Sequence, residues 1–274
     1  MTDSAAGATL AGQTAFVSGS SRGIGRVVAL MLAEAGCQVA VHGRSEDRVS
    51  EVAAELAQMG RHAGTFLGDL SQEGGAGRLA DQVLAALPAL DIFVAVAGAD
   101  VLTGAAAAAN FDEKLASLLT VDVLGTITMA RRIGSAMHAR GRGAMVTIGW
   151  DQAEVGMEGD SGQLFAATKG AVMAFTRSLA RSLGPTVRVN NVAPGWIRTA
   201  WGEQASDVWQ TRARREAMLG RWGEPADVAA AVCWLVSPEA SWVTGQVLPV
   251  NGGFRRAPFP EGPAVEHSDR GTPS

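Results

Sequence analysis

The stretch that most constrains the fold is a glycine-rich turn between an apolar strand and an apolar helix. Residues 14–18 read as a short buried strand, and Gly19-Ser-Ser-Arg-Gly23-Ile-Gly25 follows directly, before a helical pattern that runs to Gly36. Glycines let a backbone approach a pyrophosphate, and the amino end of a helix offers unpaired N–H groups and a positive dipole. In this context the turn predicts dinucleotide binding; the alternative is a plain tight turn between strand and helix.

Strand and helix patterns alternate along the rest of the chain. Apolar strand-like runs follow at 38–41, 62–67, 91–96, 144–148, 186–192 and 245–250, and helical patterns occupy 46–59, 75–87, 111–139, 162–183 and 225–236. Apolar strands alternating with helices call for a parallel sheet covered on both faces, with its crevice at the carboxyl ends of the strands. The sequence therefore predicts one doubly wound α/β domain over 1–254. Residues 255–274, rich in Pro, Gly, Ser and charge, predict a flexible tail.

Composition narrows the possible partners and compartments. The 274 residues are 47% apolar and 18% charged, which suits a folded core, and the net charge of −4 gives no reason to expect nucleic acid or an anionic membrane as a partner. No apolar run approaches the roughly 20 residues that cross a bilayer, and no secretory signal is visible. Two cysteines, Cys37 and Cys233, without a CxxC spacing favour a reducing compartment and no metal site. We expect a cytoplasmic protein with a small-molecule substrate.

The second strand pattern bears on the choice of nucleotide. Dinucleotide folds that prefer NAD usually carry an acid about 20 residues after the glycine turn, where it binds the ribose 2′-hydroxyl. No Asp or Glu occurs between Cys37 and Ser45, whereas Arg44 and Arg22 are placed to meet a 2′-phosphate. This favours NADP(H) over NAD(H). The alternative is that Arg44 is only a solvated loop charge, and His42 is interpreted as structural.

Phe165 and Lys169 are the residues around which the functional interpretation turns. They lie four residues apart in a helical pattern and so share one helix face. The chain has no Tyr, and it has only two Lys against 21 Arg. Because the chain uses Arg for almost every cation, the Lys at 169 suggests that this position needs the compact ammonium group of lysine, whose pKa shifts more readily than that of arginine. A lysine can hold a ribose hydroxyl, but a phenylalanine can neither donate nor accept a proton. Asp122 interrupts an apolar stretch; such an acid is exposed, paired by its neighbours, or directed into the cleft.

Two further segments attract functional interpretations. The glycine-rich loop 149–163 contains Trp150 and four acids, including Asp151, but it has no recognised metal-ligand spacing, and no metal is predicted. Residues 200–222 carry three tryptophans, Trp201, Trp209 and Trp222, which suggest a lid over an apolar substrate. Packing against the core and a subunit contact are the alternatives for this segment.

These motifs together resemble the short-chain dehydrogenase/reductase family, in particular its reductases of the 3-oxoacyl-carrier-protein type. The resemblance covers about residues 10–254. It depends on the glycine turn, on Gly68-Asp69-Leu70, on Ala97-Gly98, on Ala-Ala-Thr-Lys169, on Pro194-Gly195 with Thr199, and on the segment from Val243 to Gly253. It implies a Rossmann-type sheet of seven parallel strands flanked by helices. The cofactor contacts that it implies are Gly19, Ser21, Arg22, Ile24, Gly25, Arg44, Ser45, Asp69, Leu70, Ala97, Gly98, Lys169, Pro194, Gly195, Ile197 and Thr199.

The same resemblance implies a chemistry that this chain only partly matches. In the family, hydride passes between nicotinamide and a carbonyl carbon. A Tyr moves the proton, a Lys lowers the Tyr pKa and binds ribose, a Ser holds the carbonyl oxygen, and an Asn completes a water relay. Here the Lys is Lys169, but the Tyr position is Phe165, the Ser position is Trp150 with Asp151 next to it, and the Asn position is Asp122.

Three functions therefore compete. The first is a divergent NADP(H)-dependent oxidoreductase in which Lys169, Asp122 or Asp151 handles protons for a small apolar carbonyl- or imine-type substrate. The second is a non-redox isomerase or lyase in which Asp122 or a loop acid acts as the base. The third is a catalytically silent dinucleotide-binding protein. The resemblance also implies a homodimer or homotetramer formed through the helices at 111–139 and 162–183.

Overall fold

The computed structural model describes residues 10–254, which form a seven-stranded parallel sheet. The strands are β1 (Thr14–Ser18), β2 (Gln38–Gly43), β3 (His62–Leu67), β4 (Ile92–Ala95), β5 (Gly143–Ile148), β6 (Val187–Pro194) and β7 (Val247–Val250). Their order is β3-β2-β1-β4-β5-β6-β7, and every neighbouring pair is parallel. The order reverses between β1 and β4, which opens the binding crevice of a doubly wound sheet at the carboxyl ends of these strands. The predicted fold class is confirmed.

Nine α-helices are assigned within residues 10–254. They are α1 (Gly23–Glu34), α2 (Glu46–Gln58), α3 (Gly75–Ala86), α4 (Phe111–Leu118), α5 (Thr126–Arg140), α6 (Gly159–Leu183), α7 (Ala200–Gln204), α8 (Asp207–Glu216) and α9 (Pro225–Val236). None of these described helices is long and apolar enough to cross a membrane. The predicted tail, 255–274, lies outside the described residues.

Two apolar layers cover the sheet, one on each face. Alternate residues of a strand point to opposite faces. Accordingly, Ala15 and Val17 of β1 join a cluster that includes residues of α1, α2 and α9, while Phe16 joins a cluster that includes residues of α3, α5 and α6. Burial on both faces explains why the strands read as nearly continuous apolar runs.

The structure corrects the prediction of one uninterrupted helix over 111–139. The segment is α4, then a π-helical stretch, Leu119–Gly125, and then α5. Hydrogen bonds in a π-helix skip one residue more than in an α-helix, and such stretches recur at functional sites. Asp122 lies within it. A local widening of the helix leaves the apolar periodicity of the flanking turns intact, so the sequence pattern does not reveal it.

Smaller differences concern loops and boundaries. Between β4 and α4 the chain contains a 3₁₀ helix, Gly104–Ala108. Helix α6 begins at Gly159, earlier than the predicted 162, and β6 continues to Pro194, beyond the predicted 192.

Candidate active site

The glycine turn between β1 and α1 leaves the amino end of α1 open. Gly19 and Gly23 have φ values of +68° and +55°, a region that side chains rarely adopt. A Cβ on Gly25 would lie 2.2 Å from the Gly19 carbonyl oxygen, so the helix can approach the turn only with glycine there. The Arg22 side chain does not cap α1, and its first turn holds no acid. The first N–H groups of α1 are therefore able to bind an anion.

His42 holds this turn in place from the end of β2. Its Nδ1 accepts from the Gly19 N–H at 3.1 Å, so Nε2 carries the proton and donates to the Gly68 carbonyl at 3.1 Å. Burial lowers the pKa of His42 to about 4, and the ring stays neutral at physiological pH. The structural role of His42 is therefore to hold the glycine turn through its two ring nitrogens. From within β2, its ring joins the loop after β1 to the loop after β3, a link that sequence spacing does not reveal.

The residues predicted to meet the adenosine end of the cofactor lie just beyond β2 and β3. Arg44 and Ser45 are exposed. Asp69 accepts two hydrogen bonds from Ser71, at 2.9 and 2.7 Å. Burial alone would raise the pKa of Asp69, but these bonds and the nearby Arg44 charge bring it below its usual value. Leu70 is only 6% exposed and packs in the core, so its side chain is not available to a ligand.

Arg22 contacts a carboxylate beyond the end of β4, which differs from its predicted contact with a 2′-phosphate. Arg22 was placed with Arg44 to meet a phosphate, but its Nη2 donates to Asp100 at 3.1 Å across the crevice. The turn packs tightly against β4, because a Cβ on Gly19 would lie 2.6 Å from the Ala97 Cα. Ala97 thus borders the glycine turn and Ser21 lies close to Gly43 at the end of β2, while Ile24 packs partly on the core. Their contacts with a cofactor stay predictions, and Arg22 already has a carboxylate partner.

Asp122 and Lys169 form a direct ion pair, one of the pairings that the sequence left open. Lys169 Nζ lies 2.7 Å from Asp122 Oδ2, and Asp122 Oδ1 accepts from the Ala99 N–H at 2.7 Å. The Asp122 side chain is 2% exposed and that of Lys169 is 15% exposed. A Cβ on Gly98 would lie 3.0 Å from Asp122 Oδ2, so glycine makes room for the carboxylate. Both carboxylate oxygens are engaged, which leaves Asp122 poorly suited to act as a base.

Trp150 and Asp151 diverge at the end of β5. The Trp150 backbone is extended, so successive side chains point to opposite sides. The Trp150 ring meets the edge of Phe165, with centroids 6.2 Å apart. Asp151 Oδ2 instead accepts from Asn251 Nδ2 at 3.0 Å, at the end of β7. Trp150 therefore shares the Phe165 side of the crevice, whereas Asp151 lies beside Gly195.

The environment of Asp151 is unusual for an ionised side chain. Burial raises its pKa to about 6, against the opposing hydrogen bond from Asn251. Its Oδ1 is buried and has no hydrogen-bond partner among the described residues. Its predicted place with the catalytic residues receives no support from its contacts, which reach Asn251 and the Gly195 turn.

The loop after β6 closes over the glycine turn. Pro194 ends β6, and a Cβ on Gly195 would lie 2.6 Å from that of Asn251, which makes the turn dependent on glycine. The Thr199 methyl group lies 3.9 Å from the Cβ position of Gly23, so this loop crosses the amino end of α1. Ile197 is one of the predicted cofactor contacts, but the residue is only 7% exposed and packs in the core, so its side chain is not available to a cofactor.

The predicted aromatic segment packs largely on itself. Trp201, Trp209 and Trp222 surround Trp196, a fourth tryptophan whose role the sequence reasoning missed, with ring centroids 5.6 to 6.2 Å apart. Trp222 is 1% exposed, so it is a core residue. The packing alternative accounts for Trp222. The other three rings are half-buried, and a lid over a substrate stays a prediction for them.

Comparisons with known proteins agree with this architecture. A family model described as Enoyl-(Acyl carrier protein) reductase matches residues 19–255. The chain is 34% identical over 250 residues to 3-oxoacyl-[acyl-carrier-protein] reductase of Aquifex aeolicus, covering 89% of this chain and 98% of that protein. It belongs to the short-chain dehydrogenase/reductase family.

Solved structures of that family superpose closely on this one. A 3-oxoacyl (acyl-carrier-protein) reductase from Agrobacterium tumefaciens C58 with NADP bound is 32% identical, with a TM-score of 0.80 over 89% of this chain and 95% of that one. A 7α-hydroxysteroid dehydrogenase complexed with NADH and 7-oxoglycochenodeoxycholic acid is 28% identical, with a TM-score of 0.81 over 93% and 98% of the two chains. Family members of this architecture thus include complexes with either nucleotide.

The structure gathers most of the predicted residues of a short-chain dehydrogenase/reductase site at one edge of the sheet. Lys169, Asp122 and Gly98 lie in contact, Phe165 is four residues before Lys169 on α6, and Trp150 packs on Phe165. Among residues 10–254 there is no group of three or more His, Cys, Asp or Glu side chains placed to hold a metal ion. The described part of the site therefore consists of a glycine turn with an uncapped helix end, one buried ion pair and two aromatic rings.

Proposed function

We propose that this protein is an NADP(H)-dependent oxidoreductase that passes hydride to or from a small apolar carbonyl- or imine-type substrate without a tyrosine proton donor. One observation carries the proposal. Lys169 remains at the crevice, held at 2.7 Å by Asp122, while Phe165 occupies the place that the family resemblance assigns to the tyrosine. The cofactor side of the site is retained, and its proton-transfer side is replaced.

The residues present fit a nicotinamide dinucleotide. The uncapped amino end of α1 offers N–H groups to a pyrophosphate, and Thr199 lies close above this turn. Arg44 is exposed directly after β2, and no Asp or Glu occurs between Cys37 and Ser45, so Arg44 is suited to a 2′-phosphate. Lys169 would hold the ribose of the nicotinamide. When bound, the nicotinamide ring supplies or accepts the hydride. The NADP-bound relative supports this assignment by similarity.

The side chains at the site limit which substrates can accept the hydride. Phe165 has no proton to give, and because the sequence contains no Tyr, neither another segment nor a second copy can supply one. Loss of a positioned proton donor costs about 10²–10⁴ in rate, or roughly 3–5 kcal/mol at the transition state. Loss of an oxyanion donor at Trp150 costs a further ~3 kcal/mol. Substrates that need no proton from the enzyme, such as an iminium ion or an activated enone, fit these residues best.

A catalytically silent nicotinamide-binding protein is the second candidate. The contact between Trp150 and Phe165 favours it, because two apolar rings stand where the family places its acid and its oxyanion donor. For the non-redox alternative, Asp122 is poorly suited as the base, since both of its oxygens are engaged by Lys169 and Ala99.

Nucleotide titrations test the cofactor assignment. Energy transfer from tryptophan to reduced nicotinamide reports binding of NADPH and NADH. Replacement of a charged hydrogen-bonding partner costs about 1.5–3 kcal/mol, so Arg44→Ala should weaken NADPH roughly 10- to 100-fold and leave NADH unchanged. Arg48→Ala, at an exposed position four residues further on, is the matched control. Failure of the wild-type protein to bind either nucleotide would remove the proposal.

Label transfer separates the two candidates once binding is established. With NADPH deuterated at C4 and a cyclic iminium acceptor, the oxidoreductase should deliver deuterium to the product, and Lys169→Ala should abolish this. A silent protein should bind NADPH and transfer no label to any acceptor. In that case Phe165→Tyr combined with Trp150→Ser tests whether the pocket accepts the family reaction, by the appearance of ketone reduction.

A further inference from the structure

One charged side chain outside the catalytic residues links the two sides of the crevice. Arg212 of α8 donates from Nε to Glu216 Oε1 at 2.7 Å and from Nη2 to Glu158 Oε2 at 3.2 Å, while its Nη1 also contacts Glu158. Its guanidinium carbon lies 5.1 Å from the centroid of Trp209 and 5.8 Å from that of Trp196. The Arg212 side chain is only 15% exposed. Two carboxylates and two aromatic rings thus converge on one guanidinium.

The partners of Arg212 belong to different walls of the site. Glu158 is the residue before α6, the helix that carries Phe165 and Lys169. Glu216 is 8% exposed, and its Oε2 accepts from Trp196 Nε1 at 2.8 Å. Trp196 directly follows the Pro194-Gly195 turn. The route Glu158–Arg212–Glu216–Trp196 therefore connects the beginning of α6 to the turn beside which the nicotinamide would lie.

The two ion pairs of Arg212 differ in how easily they open. The Glu216 side chain is 10% exposed and is held on both oxygens, so this pair is part of the packed segment. The Glu158 side chain is 58% exposed, although the hydrogen bond from Arg212 holds its pKa below the usual value. Water can replace Arg212 at Glu158 at modest cost, but not at Glu216. Separation of the two walls would therefore begin at the Arg212–Glu158 contact.

We infer that Arg212 is a positioning residue that holds the segment 196–216 against the amino end of α6, with its contact to Glu158 as the point of release. In the free protein this contact keeps the aromatic segment closed against the amino end of α6. The consequence for nucleotide release depends on the proposed function, whereas the closure itself does not.

A neighbouring ion pair supplies a matched control. Glu154, in the same loop, pairs with Arg177 at 2.6 Å, and its side chain is likewise 58% exposed. Arg177 lies on α6, so this pair joins the loop only to the helix that follows it and does not reach α7 or α8. Glu154→Gln thus removes a similar charge and a similar contact without touching the link between the walls.

Hydrogen–deuterium exchange of the nucleotide-free protein tests the closure directly. Glu158→Gln should speed exchange of the backbone amides in 200–216 by about three- to tenfold, because it weakens a partly exposed charged contact. Arg212→Gln should speed it at least as much, and adding Glu158→Gln to it should change nothing further. Glu154→Gln should leave the segment at the wild-type rate. Equal effects of Glu158→Gln and Glu154→Gln, or no effect of either, would overturn the inference.

NADPH dissociation separates this inference from the proposed function. If both hold, Glu158→Gln releases NADPH faster by a similar factor and Glu154→Gln does not. If exchange accelerates but no variant binds NADPH, the positioning role stands and the proposed cofactor does not. If NADPH binds normally and exchange in 200–216 is unchanged in Glu158→Gln, the positioning role is wrong and the proposed function remains.

Discussion

The ion pair between Asp122 and Lys169 makes a quantitative prediction about Asp122→Asn. The asparagine keeps the shape, and its oxygen can still accept the Ala99 N–H, but its amide group would face the Lys169 ammonium at the position now 2.7 Å away. Removal of one partner from a buried pair costs about 3–5 kcal/mol. Because 15% of the Lys169 side chain reaches solvent, we place the loss near the lower limit, at ~3 kcal/mol.

Urea unfolding at neutral pH, without nucleotide, measures this loss. A change of ~3 kcal/mol corresponds to a Tm lower by roughly 6–12 °C for a domain of about this size. Asp81→Asn is the control, since Asp81 pairs with Arg132 on the surface, with side chains 61% and 47% exposed. That variant should lose no more than about 1 kcal/mol.

Two results would contradict this reasoning. If Asp122→Asn lost no more than Asp81→Asn, solvent would screen the Asp122–Lys169 pair, and Asp122 would be free to act as a base. Combining Asp122→Asn with Lys169→Met should also cost less than the sum of the single changes, by at least about 1 kcal/mol, because it leaves no uncompensated buried charge. Simple additivity would show that the two groups do not interact.

Two further predictions concern the glycine turn. The His42 pKa falls from 6.5 to about 4 on folding, so the stability it contributes is complete above about pH 6.5 and is lost as the pH falls towards 4; at pH 5 the loss is about 2 kcal/mol. Urea midpoints measured at about pH 8 and pH 5 should show this acid dependence in the wild type and in His62→Gln, at an exposed histidine, but much less of it in His42→Asn. Gly25→Ala should cost at least about 2 kcal/mol and weaken NADPH binding, because its Cβ would meet the Gly19 oxygen at 2.2 Å, whereas Gly170→Ala, with nothing within 4 Å, should raise the Tm slightly. A Gly25→Ala protein as stable as Gly170→Ala would refute the close-packing argument.

Local patterns were sufficient to predict the sheet and most of its helices. Strand β1 matches its predicted bounds, and α9 matches the predicted 225–236, because apolar runs and their glycine or proline boundaries are encoded in adjacent residues. Parallel order followed from alternation, since a helix between successive strands returns the chain to the same edge. The π-helical stretch at 119–125 escaped prediction, because it changes the hydrogen bonding of one turn without changing the apolar pattern around it.

In the candidate site, too, some residues could be predicted from the sequence and others could not. Phe165, Lys169 and the glycine turn could be recognised because spacing within one element fixes which residues share a face. The network of Arg212 could not, since it joins Glu158 to Glu216, 58 positions apart, and these meet only when the folded chain brings α8 beside the residue before α6.

By itself, the sequence determined the α/β architecture, the glycine turn between β1 and α1 and the absence of any tyrosine, because each is a property of composition or of neighbouring residues. Only the tertiary structure decided that Asp122 pairs with Lys169, that Trp150 rather than Asp151 joins Phe165, and that Arg212 links two walls of the crevice. These contacts depend on the direction in which each loop leaves the sheet. That direction is set by packing between segments distant in sequence.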